Sequence, residues 1–183
     1  MIPALNEEEA VVSILRRCLA AADKIRAADL GVDSVEVVLV NDGSTDRTEE
    51  RARSVAGVKV VTHASNRGYG AAIKTGFAAG QGDLLGFIDA DGTCDPDFFV
   101  DLLRLLLSRR LDVALGSRMH PGSKMPAVRV AGNVAFRTLV NFLGETELTD
   151  VASGMRVLKR SALPRLSPLP DGLNFTPAMS TRA

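Results

Sequence analysis

The sequence has little of what marks several specialised protein classes. It contains two cysteines and no tryptophan, and its 22 basic and 22 acidic residues give a formal net charge of zero. Two distant cysteines without CxxC spacing exclude a disulfide framework and indicate reduced thiols. Balanced charge argues against a general nucleic-acid binder, which would normally carry a basic excess. Any recognition of anions must therefore be local.

Long apolar runs and a signal peptide are also missing. No apolar stretch reaches the roughly 18 residues that suggest a membrane span. The chain becomes acidic almost at once, at Asn6–Glu9, unlike a signal peptide. These absences predict a cytoplasmic protein. The remaining composition, with 183 residues, 46% hydrophobic and 24% charged, predicts one globular domain that can bury a core.

Apolar runs and amphipathic segments alternate along the chain. The apolar runs predict strands at 35–40, 58–63, 83–88, 112–117 and 155–159. Such alternation with intervening helices is typical of an α/β domain with a mainly parallel central sheet and helices on both faces. Asn6 is a candidate N-cap of the first helix, with Glu7–Glu9 in its first turn. The proline-rich tail, 163–177, is predicted to be irregular.

Polar segments follow three of the predicted strands, at 40–42, 63–70 and 89–93. Because ligands bind at the carboxyl ends of parallel strands, we expect these segments to share one rim of the sheet. Asp89 and Asp91 are two residues apart, so they project to one side of an extended chain while Ala90 points away. Two carboxylates suit Mg²⁺ or Mn²⁺, which complete their shell with substrate phosphates and water.

The segment from Asp89 to Thr93 also matches the Asp-x-Asp-Gly-Thr motif of haloacid-dehalogenase-type phosphatases. That mechanism would make Asp89 a nucleophile and Asp91 an acid and base. It also expects the motif on the first strand and further acids after a later strand. Here about three strand–helix units come first, and the strand at 112–117 ends in Arg118. We therefore favour the metal and diphosphate interpretation.

Several segments, in their order along the chain, resemble family 2 glycosyltransferases with the GT-A fold. They are IPALNEEE, VNDGSTDRT, NRGYGAAIKTG, DADGTCDP, GSR and SGMRVLKR. The chain looks most similar to the polyprenyl-phosphate sugar transferases of the dolichol-phosphate mannosyltransferase type. The resemblance covers nearly the whole chain and implies a Rossmann-like GT-A fold.

The resemblance also implies a role for each matching residue. The nucleotide would contact, in chain order, Pro3, Leu5, Glu7, Val40 and Asp42, the last two at the base and ribose. The metal and diphosphate site would consist of Asp89, Ala90, Asp91 and Thr93. Arg118 would meet a phosphate of the donor or of a lipid acceptor, and Arg129 is a second candidate for the acceptor phosphate. Leu5 stands where many members have tyrosine, and Thr93 replaces glutamine or serine.

The implied reaction is a metal-dependent, inverting transfer of sugar from a GDP- or UDP-linked donor to a dolichyl or undecaprenyl phosphate. That acceptor is already an anion, so no general base is needed, unlike in glycoside hydrolysis. A hydroxyl acceptor, the alternative within the same fold, would need a base, and Asp150 is the candidate. A lipid acceptor implies work at the cytoplasmic face of a membrane, with peripheral contact.

Both ends of the sequence depart from the family pattern. The first strand is nearly missing, and the chain ends at Ala183, before the basic segment that normally closes over the nucleotide. We therefore expect a single domain, 1–183, incomplete at both ends, and an inactive domain is a third alternative. His63 and His120 have no partner at metal-ligand spacing and are predicted to be solvated or capping residues.

Overall fold

The computed structural model describes residues 1–117 and 153–183, together with Thr138. The sequence pattern also predicts a helix at about 128–143, which lies almost entirely outside the described residues. So do four residues singled out from the sequence: Arg118, His120, Arg129 and Asp150. Their roles stay predictions.

Strands and helices alternate through the described residues, as predicted. The strands are β1 (Ile2–Ala4), β2 (Val37–Asn41), β3 (Val58–Thr62), β4 (Leu84–Ile88), β5 (Val113–Leu115) and β6 (Met155–Lys159). The helices are α1 (Val11–Ala27), α2 (Thr48–Arg53), α3 (Tyr69–Ala79), α4 (Phe99–Ser108), α5 (Leu163–Leu166) and α6 (Phe175–Ser180). Short 3-10 turns at Pro96–Phe98 and Arg160–Ala162 lead into α4 and α5.

The strands form one mixed layer with a single reversed strand among those described. β1, β2 and β3 pair in parallel, whereas β6 lies antiparallel between β4 and β5. The Met1 nitrogen donates to the Gly86 carbonyl at 2.7 Å, and the Ile88 N–H donates to the Met1 carbonyl at 3.1 Å. This pattern is that of a parallel pair, so β1 joins β4 and the order is β3-β2-β1-β4-β6-β5. The mainly parallel sheet is confirmed.

Successive strand residues face two different helical layers. Leu39, Ile88 and Val157 pack on one face with α1 and α4. Phe87 and Leu158 pack on the opposite face with α3 and α6. Because side chains alternate along a strand, a sheet covered on both faces needs apolar residues at every position. This explains the continuous apolar runs and confirms helices on both faces.

The tail at 163–177, predicted to be irregular, instead completes the core. α5 and α6 bury Leu166, Phe175 and Met179 on the α3 face of the sheet. The Phe175 ring meets Phe87 edge to face, with 6.0 Å between ring centroids. The prediction holds for 167–174, which are irregular, but it missed the two helices. Helices of four and six residues are too short to show a 3.6-residue period, and the prolines suggested loops.

The start of α1 also differs from the prediction. The helix begins at Val11, and its first turn contains no acidic residue. The Glu7 carbonyl accepts hydrogen bonds from the N–H groups of Ala10 and Val11, so Glu7–Glu9 form a turn before the helix. The Glu7 N–H donates to Thr48 Oγ1 at 2.8 Å, which ties this turn to α2. Tertiary contacts, not the helix dipole, thus place these glutamates.

The two cysteines are not joined to each other, as predicted. Cys18 is buried in the α1 core, and this burial raises the pKa of its thiol to about 11. Within the part of the chain that the structure describes, no helix is both long and apolar enough to cross a bilayer.

Candidate functional site

An open cleft of about 590 Å³ lies at the carboxyl ends of β1, β2 and β4. It lies at the rim where parallel α/β sheets bind ligands. The cleft brings together seven residues assigned to the site from the sequence: Pro3, Leu5, Glu7, Asp42, Asp89, Ala90 and Asp91. Asn66, Gly68 and Tyr69 line the cleft as well, so the segments 40–42, 63–70 and 89–93 share one rim, as expected.

Two further assigned residues lie differently. The Val40 side chain is fully buried beside Val38 and Ala72, so it cannot touch a ligand in the cleft. Thr93 is exposed, and its N–H and Oγ1 donate to Asp91 Oδ1 at 2.9 and 2.7 Å. Thr93 therefore supports Asp91 and does not itself line the cleft.

Asp42, at the end of β2, is almost fully buried although it lines the cleft. Its Oδ1 accepts from the Arg67 N–H at 2.9 Å, and its Oδ2 accepts from the Gly68 N–H at 2.9 Å. Gly68 has φ 101°, a left-handed conformation that favours glycine. Asp42 thus fixes the glycine loop, residues 66–70, through two backbone N–H groups.

His63 is also buried, which corrects the prediction of a solvated or capping residue. Its Nδ1 lies 2.6 Å from Asp42 Oδ1, and its Nε2 lies 2.9 Å from Thr75 Oγ1. Both the His63 and Asp42 side chains are 5% exposed. Metal-ligand spacing in the sequence does not reveal the role of His63, because its partners are distant along the chain: Asp42 follows β2 and Thr75 lies in α3. The position of His63 directly after a strand, before the glycine loop, was the available sequence signal.

Asp89 is held by two residues that the sequence argument did not single out. The Tyr69 hydroxyl donates to Asp89 Oδ1 at 2.6 Å. On another side is Gly154, where an added Cβ would lie only 1.8 Å from Asp89 Oδ2. Only glycine therefore fits at position 154. Both residues lie within quoted motifs, NRGYG and SGMR, but their tie to Asp89 depends on the packing of α3 and β6 beside β4.

The loop after Asp91 is anchored by a side chain from α1. Arg17 donates to the carbonyls of Gly92 at 3.4 Å and Cys94 at 3.3 Å, and it pairs with Asp95 at 3.4 Å. A guanidinium has five donors and can hold several backbone oxygens at once. Arg17 therefore restrains the loop at 92–95, and these bonds do not involve Asp89 or Asp91.

The cleft carries concentrated negative charge. Burial raises the pKa of Glu7, and the nearby carboxylates of Asp91, Asp46 and Asp89 raise it further. Within residues 1–117 and 153–183, no three His, Cys, Asp or Glu side chains form a ready-made metal cage. Two carboxylates with excess negative charge fit Mg²⁺ or Mn²⁺, which usually take one or two protein carboxylates together with substrate phosphates.

The C-terminal segment forms a wall of the cleft with four lining residues, Gly172, Leu173, Thr176 and Pro177. Lys74 Nζ donates to the Leu169 carbonyl at 2.9 Å and pairs with Asp171 at 2.5 Å, which lowers the pKa of Asp171. The Ala71 N–H donates to the Asp171 carbonyl at 3.1 Å. These bonds dock the segment on the start of α3. Leu173, on this wall, is 82% exposed.

The chain matches known proteins over most of its length. Residues 1–167 match the family described as glycosyl transferase family 2. A low-salt glycan biosynthesis hexosyltransferase of Haloferax volcanii is 31% identical over 100% of this chain and 43% of its own length. A dolichyl-phosphate hexose transferase of the same organism is 35% identical, over 86% of this chain and 64% of that protein. A dolichyl-phosphate beta-glucosyltransferase of Drosophila melanogaster is 32% identical, over 91% of this chain and 55% of that protein.

Solved structures extend the match to three dimensions. Glucosyl-3-phosphoglycerate synthase from Mycobacterium tuberculosis, in complex with Mn²⁺, UDP and phosphoglyceric acid, superposes with a TM-score of 0.73 at 26% identity. The match covers 97% of this chain and 60% of that one. The same enzyme with Mg²⁺ and UDP also gives a TM-score of 0.73. The chain thus spans less than two-thirds of the length of each of these proteins.

Proposed function

The chain belongs to glycosyl transferase family 2 and has the GT-A fold, and from this premise we propose that it transfers a hexose from a nucleotide-diphosphate sugar to a polyprenyl phosphate. One observation carries the proposal. Asp42, Asp89 and Asp91 line a single cleft at the carboxyl ends of β2 and β4. The parallel sheet brings these strand ends to one rim, and three carboxylates there suit a donor diphosphate held through a divalent cation.

Two kinds of relative support the finer parts of the proposal. Relatives described as dolichyl-phosphate hexose and glucosyl transferases favour a polyprenyl phosphate as acceptor. Structures solved with UDP favour a UDP-linked donor over a GDP-linked one. A lipid acceptor would require the protein to work at a membrane surface, on the cytoplasmic side where nucleotide sugars are available.

Asp89 and Asp91 are the residues that would hold Mg²⁺ or Mn²⁺. When bound, such a cation neutralises negative charge on the departing nucleoside diphosphate. Thr93 fixes the Asp91 carboxylate through two hydrogen bonds. Arg17 restrains the backbone that follows. These residues would thereby orient the donor diphosphate with little rearrangement on binding.

The opposite end of the cleft would hold the nucleoside. Leu5, 40% exposed on the cleft, offers apolar surface to a base. Asp42 can accept a further hydrogen bond from the base or ribose, because a carboxylate has about four acceptor positions. Asn66 and Gly68 of the glycine loop also line the cleft and would lie beside the nucleoside. The diphosphate and sugar would then lie toward Asp89 and Asp91.

The acceptor side rests on residues outside the described part of the chain. Arg118 and Arg129 are our candidates for the acceptor phosphate, since guanidinium forks match phosphate oxygens in two places. A phosphate anion attacks the anomeric carbon from the face opposite the leaving diphosphate, which inverts the configuration. No side chain needs to remove a proton from such an acceptor.

Transfer to a hydroxyl is the second candidate function. It is favoured by the match to a synthase solved with phosphoglyceric acid, an acceptor type that combines a phosphate with a hydroxyl. This reaction needs a general base, for which Asp150 is our candidate. The two candidates share the donor half of the site and differ only in the acceptor.

The test is a transfer assay with the 183-residue chain. UDP-glucose, UDP-N-acetylglucosamine and GDP-mannose are each supplied with Mn²⁺, with Mg²⁺ or with chelator. The acceptor is an undecaprenyl or dolichyl phosphate in detergent, or 3-phosphoglycerate. We expect metal-dependent transfer from a UDP-sugar to the lipid phosphate. Transfer to 3-phosphoglycerate alone would establish the second candidate. Absence of any UDP or GDP binding, with or without metal, would refute both.

A further inference from the structure

We infer that Tyr69 is a positioning residue, which holds the Asp89 carboxylate and links it to Asp42 through the glycine loop. The inference deepens the proposed function and rests on it, because Asp89 is taken as a ligand of the metal. It assigns a role to a side chain that neither the metal motif nor the nucleotide motif includes. Tyr69 would act only through Asp89.

The contact between Tyr69 and Asp89 is short and enclosed. The hydroxyl to Oδ1 distance is 2.6 Å, typical of an O–H donor to a carboxylate. A phenol is protonated at physiological pH, so the Tyr69 hydroxyl is the donor in this hydrogen bond. Gly154 limits the carboxylate from another direction. Asp89 therefore has little freedom to rotate away from the observed orientation.

The position of the Tyr69 ring depends in turn on Asp42. Tyr69 begins α3 immediately after Gly68, whose N–H donates to Asp42 Oδ2 at 2.9 Å. Gly68 is also confined by the C-terminal wall, since an added Cβ there would lie 2.5 Å from the Asp171 carbonyl oxygen. His63 fixes the other side of Asp42 at 2.6 Å. The backbone that carries Tyr69 is thus held from two sides.

This arrangement links the two ends of the cleft through hydrogen bonds and the backbone between Gly68 and Tyr69. It runs from His63 to Asp42, then through the Gly68 N–H to Tyr69 and Asp89. Groups that orient a metal ligand typically change metal affinity about 10–100-fold when they are removed. We therefore expect loss of the Tyr69 hydroxyl to act on the metal end of the cleft and to leave nucleoside contacts intact.

Tyr69 can be observed directly, because the sequence contains one tyrosine and no tryptophan. Tyrosine fluorescence is quenched when the hydroxyl donates to a carboxylate. In the ligand-free chain, Asp89→Asn is expected to raise the emission, whereas Asp101→Asn, an exposed acid on α4, is not. Equal emission from wild type and Asp89→Asn would overturn the contact. This measurement requires neither metal nor turnover.

The functional arm measures Mn²⁺ affinity with UDP present, by electron paramagnetic resonance of free Mn²⁺. Tyr69→Phe keeps the ring and is expected to weaken Mn²⁺ binding about tenfold, with uridine affinity in the absence of metal unchanged. Ser54→Ala is the matched control. It removes an exposed hydroxyl that donates to the Arg51 carbonyl, far from the cleft in the α2 region, and should leave both affinities unchanged.

The outcomes separate the inference from the proposed function. If the wild-type chain binds Mn²⁺ with UDP and the Mn²⁺ affinity of Tyr69→Phe is within twofold of that of wild type, the role of Tyr69 is refuted. The proposed function is then unaffected. An equal loss of metal-free uridine binding in Tyr69→Phe would show a merely structural effect and also refute it. A wild-type chain that binds no Mn²⁺ with UDP would refute the proposed function, and the role of Tyr69 with it.

Discussion

The two ends of the cleft are built in opposite ways. Asp42 is 3% exposed and accepts hydrogen bonds from two backbone N–H groups beside a buried histidine. Asp91 is exposed, and it accepts two hydrogen bonds from Thr93, two residues away in its own turn. Asp89, half-buried and held by Tyr69, lies between these extremes.

This difference in burial and hydrogen bonding indicates which end of the cleft has its final geometry before a ligand binds. The Asp42 end is integrated with the sheet and α3, so its geometry is inseparable from folding. At the Asp91 end, burial and then the neighbouring carboxylates of Asp91, Asp46 and Asp89 raise the pKa of Glu7, so these acids repel one another. A bound cation would relieve that repulsion. We therefore expect mutations to affect stability at one end and ligand binding at the other.

The largest expected effect is on binding at the exposed end. Asp91→Ala should weaken Mn²⁺-dependent UDP binding by at least about a hundredfold, because it removes a proposed metal ligand. The free energy of unfolding should change by less than about 0.5 kcal/mol, since Asp91 is exposed. Calorimetric titration and urea denaturation check the two parts. Asp101→Ala is the control, and tight metal-dependent binding by Asp91→Ala would contradict the assignment.

The buried end should respond with a loss of stability. Asp42→Ala leaves His63 and two backbone N–H groups without their carboxylate, and should lower the free energy of unfolding by about 2 kcal/mol. Urea denaturation of the ligand-free chain measures this change. Asp33→Ala, at an exposed acid, should stay within about 0.5 kcal/mol of wild type. If Asp42→Ala were as stable as that control, the contrast between the two ends would be lost.

An intermediate effect is expected where Asp89 meets the backbone. Gly154→Ala would place a Cβ within 1.8 Å of the carboxylate and force Asp89 to move. We expect about tenfold weaker Mn²⁺ binding and a loss of about 1–2 kcal/mol in stability. Gly80→Ala is the control, because its nearest contact would be an ordinary 3.7 Å. Unchanged Mn²⁺ affinity in Gly154→Ala would show that the Asp89 orientation is unimportant.

The smallest effect concerns the pH dependence of stability. Because the folded pKa of Glu7 is raised, its contribution to stability is full at low pH and is lost as pH rises through that pKa. In wild type, this loss of stability falls in the pH range just above the usual glutamate pKa. Glu7→Gln should abolish it and make the ligand-free chain slightly more stable at neutral pH. Urea midpoints measured across the acidic range, with Glu9→Gln as control, check the sign. A steeper decline in Glu7→Gln would contradict it.

The sequence alone was sufficient for the fold class and for the acidic side chains that line the cleft. Continuous apolar runs predict buried strands, and the end of each predicted strand locates Asp42, Asp89 and Asp91. These inferences succeed because strand period and strand-end chemistry are local properties. The short helices α5 and α6 were missed because their burial is not a local property of the sequence. It depends on contacts with β4 and α3.

What the tertiary structure decided is which side chains support the acids. The partnership of His63 with Asp42 and that of Tyr69 with Asp89 join residues 21 and 20 positions apart. Gly154 reaches Asp89 only because β6 pairs with β4 in one register. A sequence motif specifies residues that are neighbours along the chain. Contacts between separate elements depend on how the whole core packs, so only the folded chain brings these supporting groups to the site.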